Sequence, residues 1–237
     1  MTSDRLAQTV RQQLGLGRLL PLGGPHDGAW ITEEAAESLL RRATDSVRGV
    51  RLGALRIALT DPDDVHEPAV PPPPSALPPG PLRLTGDFAA TPSAPLPTTA
   101  SRLRTALTAA ARDRLGLTVT EVDLRVTALL DEDAEPEPVR PPEPKEASET
   151  RDGAEARAAE AALGVRGVTA LTGTLGRAVH IEERRVDDTA LPHRHVRLEL
   201  AADADHQAVR VAREVRVAVS SALQDGPTVA VLVTAVV

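Results

Sequence analysis

Residues 101–130 read SRLRTALTAAARDRLGLTVTEVDLRVTALL, and within them the hydrophobic period changes once. Leu103, Ala106, Leu107, Ala110, Ala111 and Leu115 fall three or four apart, the spacing that lines one face of an α-helix, while Arg102, Arg104, Arg112 and Asp113 lie off that face. Gly116 stands where a helix ends in a left-handed residue. Beyond it the period is two: Val122, Leu124, Val126 and Ala128 alternate with Glu121, Asp123, Arg125 and Thr127. The stretch predicts an amphipathic helix turning into a strand with one packed and one wet face.

The outline returns at residues 206–237, HQAVRVAREVRVAVSSALQDGPTVAVLVTAVV. Ala212, Val215, Ala218, Val219 and Ala222 repeat the helical stripe against a valine content that also suits a strand, and position in the repeat favours the helix. Gly226 and Pro227 mark the stop. Both parities of 228–237 are apolar, so both faces of that last strand are expected to be covered.

Working outward, each copy is preceded by a short helix, a Val-Arg-Gly-Val turn (47–50 and 165–168) and two further strands, giving α-β-β-α-β twice. In the first copy Thr32 is placed to cap a helix carrying Ala35, Ala36, Leu39, Leu40 and Ala43 on one face, and 52–59 and 81–89 read as strands. In the second, 154–163 reads as helix and 168–181 and 193–202 as strands. The fold class is α+β, two small two-layer units, each with a three-stranded sheet. The boundaries are an N-terminal arm at 1–27 with a short amphipathic helix over 4–22, a first unit at 28–130, an acidic Pro/Glu linker at 131–153 and a second unit at 154–237. Proline takes nine of the twenty-one positions from 61 to 81. That insertion is expected to be an extended, inert excursion of a hairpin, since no basic residues flank it as in a ligand for aromatic grooves.

With 237 residues the chain suits two small units, which bury only roughly 60 to 65% of their unfolded surface and lean on partners. The absence of cysteine removes disulfides, thiolate nucleophiles and cysteine metal sites. No apolar run approaches the roughly 20 residues of a membrane span and Met1-Thr2-Ser3-Asp4 opens no signal peptide, so a cytoplasmic protein is expected. The formal charge of -7 sits mostly in the linker, where residues 131–150 hold eight acids and two bases; the folded parts carry no footprint for nucleic acid.

Residues 28–50, GAWITEEAAESLLRRATDSVRGV, and 116–129, GLTVTEVDLRVTAL, resemble the alkaline shock protein family, also called envelope stress response proteins. The resemblance covers 28–130 outside the proline insertion and, more weakly, 154–237. The chain lacks the family's Tyr-Gly before the long helix and carries two units where most members carry one. The resemblance implies a non-enzymatic cytoplasmic scaffold that self-associates and is held near the membrane by a membrane-anchored partner. It carries over no catalytic residue and no cofactor.

His193 and His195 share one strand face and make a His-x-His pair of the kind that holds zinc or nickel, with His180, Glu182, Asp187 and Asp188 near in sequence. A place on the solvent face beside Pro192 favours plain surface histidines. No Gly-x-Ser-x-Gly elbow frames Ser220 or Ser221. The Gly-x-x-Gly at 164–167 and Gly15-x-Gly17 read as turns. Arg210, Arg213 and Arg216 form a basic stripe, a candidate for anions or nucleic acid and more simply a solvated helix face. Val229, Val231 and Val233 are expected to pack between the two units or between chains.

Overall fold

Helices and strands follow the order α-β-β-α-β in the first half of the chain and α-β-β-β-α-β in the second, where the first expected strand is divided in two. The structure, a computed structural model, describes residues 17–131, 139, 142–145, 147, 153–184 and 193–237. The first unit comprises α1 (Glu33–Thr44), β3 (Val50–Leu59), β4 (Leu82–Ala90), α2 (Leu96–Ala109, continuing through a π-helical turn at Ala110–Leu115) and β5 (Val119–Leu129). The second comprises α3 (Gly153–Leu163), β6 (Val168–Leu171), β7 (Val179–Arg184), β8 (His193–Ala202), α4 (Ala208–Ala222) and β9 (Thr228–Val236). Two short strands precede both, β1 (Leu19–Pro21) and β2 (Ala29–Thr32).

Local chemistry explains the ends. The Thr32 hydroxyl accepts the Ala35 N–H at the start of α1, and Glu33 and Glu34 occupy its first turn, where the helix dipole favours acids. Helix α2 begins at Leu96, earlier than the apolar stripe indicates, because Pro97 fits a first turn that needs no N–H. It ends on Gly116 at φ 84, the left-handed residue expected there. Helix α4 forms despite its valines, since Val209, Val211, Val215 and Val219 all reach the core from a helical face.

The units repeat in hydrogen-bonded detail. In the first, β3 runs antiparallel and β5 parallel to β4; in the second, β6 and β7 run antiparallel and β9 parallel to β8. The register along β5 slips between Val126 and Ala128, and that along β9 between Val233 and Ala235. At each bulge a threonine hydroxyl donates across the ladder, Thr127 to the Phe88 carbonyl at 3.3 Å and Thr234 to the Leu200 carbonyl at 3.4 Å. The two Val-Arg-Gly-Val turns also match, with Gly49 at φ 70 and Gly167 at φ 90.

Three expectations need correction. The second sheet has six strands, in the order β1-β2-β9-β8 with β6 and β7 both on β8, because β2 adds parallel to β9 and β1 antiparallel to β2. The N-terminal arm is therefore sheet where it is described: Leu19–Pro21 is a strand, not the end of a helix over 4–22, whose first residues lie outside the described ones. The strand expected over 168–181 is broken at Thr172–Ala178, so that β6 pairs with Leu200–Ala202 of β8 and β7 with His193–Leu198.

The halves are also not separate bodies joined by a linker. Phe88, Leu103 and Leu107 of the first unit belong to one apolar cluster with Leu198, Val215 and Val231 of the second, and α1 packs on β9 as well as on β3. Little of the 131–153 linker is described, but Lys145 accepts the Gly173 N–H at 3.0 Å and Ala147 packs on this core.

The proline-rich insertion is not inert. Trp30 donates its indole N–H to the Leu77 carbonyl at 3.2 Å, Leu77 donates its N–H to Leu19, and Val70 packs with Trp30, Leu19, Ala230 and Leu232. An extended segment with few donors of its own can lie over an apolar sheet face without stranding N–H groups. Both faces of β9 are thus covered, as its unbroken apolar run requires.

Gly116 joins the units: its carbonyl accepts the Gly23 N–H at 3.0 Å, and Val209 occupies the space a side chain would take. Gly116→Ala is expected to lower the unfolding free energy by about 2–4 kcal/mol, from left-handed strain plus overpacking. Urea denaturation measures it, and Trp30 fluorescence and far-UV circular dichroism should shift together because the core is shared.

Candidate interaction surface

The strands β5 and β9 hold the same place in their units and differ in what lies beside them. The edge of β9 away from β8 carries β2, whose Gly28 carbonyl accepts the Val231 N–H at 3.0 Å. By alternation Val229, Val231 and Val233 aim their backbone groups at that edge, and by the repeat Val122, Leu124 and Val126 do the same on β5. Among the described residues no strand pairs with this edge of β5. It is an 11-residue edge, and on it Val126 is 39% and Leu129 66% exposed.

Each edge is met by an arginine from the preceding helix. Arg104 of α2 donates Nε–H to the Val122 carbonyl at 3.1 Å, and Arg216 of α4 donates Nε–H to the Val229 carbonyl at 2.8 Å. In the second unit the same guanidinium also donates to the carbonyls of His26 (2.8 Å) and Asp27 (2.6 Å), where the chain enters β2. Arg213 forms a two-pronged pair with Asp27 at 2.6 and 2.8 Å. Burial pushes the Asp27 carboxyl up, but Arg213 and the Gly24 N–H outweigh it and hold it below the usual range.

The arginine stripe therefore divides. Arg213, itself exposed, and the half-buried Arg216 fasten the β1–β2 hairpin to α4, and Arg210 stands exposed as expected of a solvated face. Val229, Val231 and Val233 are at most 2% exposed, wedged between β8 and β2, so their packing joins parts of one chain and leaves nothing of them for another. An aliphatic core residue followed by arginine in the helix before the strand, Leu103-Arg104 in one unit and Val215-Arg216 in the other, was the available signal for the clamp.

The histidine pair is also divided. His193 is exposed, whereas His195 is 5% exposed, its Nδ1 2.9 Å from the Thr228 hydroxyl, which corrects its expected place on the solvent face. Beside it on the outer face of β8 sit Arg197 and Glu199, the latter fully buried with its carboxylate accepting the Leu175 N–H at 3.1 and 3.2 Å. Burial pushes the His195 imidazole down to about 4 and the Glu199 carboxyl up to about 7. Asp187 and Asp188 lie outside the described residues, and among the described residues no group of three His, Cys, Asp or Glu side chains is placed to hold a metal.

The outer face of the first sheet is wet and charged. Arg83 pairs with Glu121 at 2.6 Å and lies 3.6 Å from Asp123, and Arg125 forms a two-pronged pair with Asp87 at 2.9 and 3.0 Å. These exposed pairs order the face and add little stability. Among the described residues no helix is long and apolar enough to cross a membrane.

No family model and no curated protein matches the chain. Solved structures similar to part of it include "MamM CTD H264A-E289A", at 16% identity and a TM-score of 0.26 over 40% of this chain and 94% of that one. "MamM CTD D249N - Zinc form" is similar at 16% identity and a TM-score of 0.28, over 42% of this chain and 89% of that one.

Two outcomes follow from the side chains above. Arg216→Ala is expected to cost about 1–3 kcal/mol of stability in urea denaturation, because it removes charge-assisted bonds to the half-buried Val229 and Asp27 carbonyls, while Arg210→Ala should stay within about 0.5 kcal/mol. The second concerns pH. Glu199, raised from 4.5 to about 7 on folding, takes stability away as pH rises through that interval. His195, depressed from 6.5 to about 4, contributes stability that is present above pH 6.5 and lost as pH falls toward 4. The slopes oppose between pH 4.5 and 6.5. Glu199→Gln should unmask a rise of about 1–2 kcal/mol across that window, from His195 alone.

Proposed function

We propose that this chain is a non-enzymatic interaction protein, a scaffold whose second unit is closed by its own N-terminal hairpin and whose first unit offers the open edge of β5 to another polypeptide. The observation that carries this reading is the contrast between equivalent strands: β9 is capped by β2, and β5 has no such strand among the described residues. A sheet edge with unpaired N–H and C=O groups is a template for strand addition. The resemblance to envelope stress response proteins supports self-association in the cytoplasm and recruitment to the membrane by an anchored partner. The alternative, an anion or nucleic-acid module on the arginine stripe, loses ground because Arg213 and Arg216 are engaged within the chain.

The test is a tagged chain expressed in its native cells, with membrane and soluble fractions purified separately. Untagged copies and a membrane-anchored protein are expected to copurify. Leu124→Pro removes one edge-facing N–H without touching the β4–β5 ladder and should abolish that copurification while circular dichroism is unchanged. Undiminished copurification with Leu124→Pro would sink the reading.

A further inference from the structure

We infer that the polypeptide held at β5 is a second copy of this chain, paired antiparallel along β5 about a two-fold axis through Leu124. The inference rests on the open-edge reading above and adds the occupant and its register. The regular part of the edge is short, because the ladder to β4 slips on either side, between Val119 and Glu121 and between Val126 and Ala128. Between those slips lie Val122-Asp123-Leu124-Arg125-Val126, a run that reads the same in both directions except that its two charges exchange sign.

A two-fold axis at Leu124 uses that symmetry. It sets Leu124 opposite itself and Val122 opposite Val126 of the second copy, all with backbone groups aimed across the new seam. The Val122 carbonyl, already accepting from Arg104, keeps a second lone pair for it. Val126, left 39% exposed in the single chain, gains a valine across the seam. On the outer face Asp123 comes opposite Arg125 of the second copy, twice. Because Arg125 already pairs with Asp87 and Asp123 lies near Arg83, the signs alternate across the joined sheets: Asp87, Arg125, Asp123 of the second copy, Arg83 of the second copy. Moving the axis one residue, to Asp123 or to Arg125, sets like charges face to face, which cross-strand pairs do not tolerate. The interface is closed and isologous, and it uses up the edge that would otherwise recruit further chains.

The purified full chain tests this by sedimentation over a concentration series. It is expected to dimerise, with Asp123→Arg and Arg125→Asp each weakening the dimer about tenfold or more, since each substitution acts at two symmetric contacts. The double variant D123R/R125D restores opposite charges and should restore the dimer. The chain has no cysteine, so Leu124→Cys should form an intermolecular disulfide on mild oxidation, whereas Ala128→Cys should not. A monomer at all concentrations, or a dimer indifferent to the charge exchange and to Leu124→Cys oxidation, would overturn the proposal. If the purified chain stays monomeric while Leu124→Pro still strips its cellular partner, the homodimer fails and the open-edge reading stands. If the charge series behaves as expected while Leu124→Pro leaves the membrane-anchored protein bound in cells, the dimer stands and recruitment of that protein through the edge fails.

Discussion

The parallel pairing of β2 with β9 is the constraint from which the rest of this architecture follows. Strand β2 has four residues and continues without a loop into α1, so seating it on β9 also sets α1 against the inner face of that strand. Helix α1 belongs to the first unit by the repeat and to the second by its packing. Thr32 at the junction donates to the Thr234 carbonyl at 3.3 Å and Arg42 at the far end to the Val236 carbonyl at 2.7 Å, so the helix is tied to β9 along its length. A strand this short is held weakly by its ladder alone. Arg216 and Arg213 supply the remainder through charge-assisted hydrogen bonds to the Gly23–Gly28 turn, which are roughly twice as strong as neutral ones.

Capping the edge of one sheet, where that of the other is unpaired among the described residues, has consequences for the faces as well as the edges. With both edges of β9 taken up, its outer face is apolar and needs a cover, which the proline-rich excursion supplies with Val70 and Leu77. On the neighbouring β8 the same face buries His195 and Glu199, polar groups that a solvated sheet would have left in water, and the Leu175 N–H answers the Glu199 carboxylate. The first sheet has no such cover among the described residues, and its outer face is a field of opposite charges. The two halves thus share matching bulges and turns and carry opposite surface chemistry.

Much of this was legible in the residues. The change of period at Gly116, the twin Val-Arg-Gly-Val turns and the two-faced apolar run of 228–237 each specify a local conformation, and the structure holds all of them. The additions to the second sheet were not legible. Leu19–Pro21 and Ala29–Thr32 are too short to show a period and stand among glycines and prolines, so only long-range pairing defines them as strands. The same limit hid the clamp. An arginine every third residue looks like a solvated stripe until the partner carbonyls arrive from about 190 positions earlier in the chain. His195 was misplaced because alternation assigns it to the outer face of its strand, and nothing local shows that this face is covered.

The repeat also explains how an open edge is kept from pairing at random. In the second unit the edge arginine bridges a strand carbonyl and the turn that brings β2 in, which makes it part of the junction. In the first unit Arg104 covers the Val122 carbonyl in the same way. A long cation at the head of an edge, with bulges that bend the strand on either side, is a usual way to limit which chains can add. What remains between the bulges is a run short enough for only a few hydrogen bonds and marked by one acid and one base. Selection at such a site falls to side-chain register more than to backbone pairing, since any extended segment offers the same N–H and C=O groups. On the proposed reading the edge of β5, unpaired among the described residues, is a restricted seat more than an unfinished sheet.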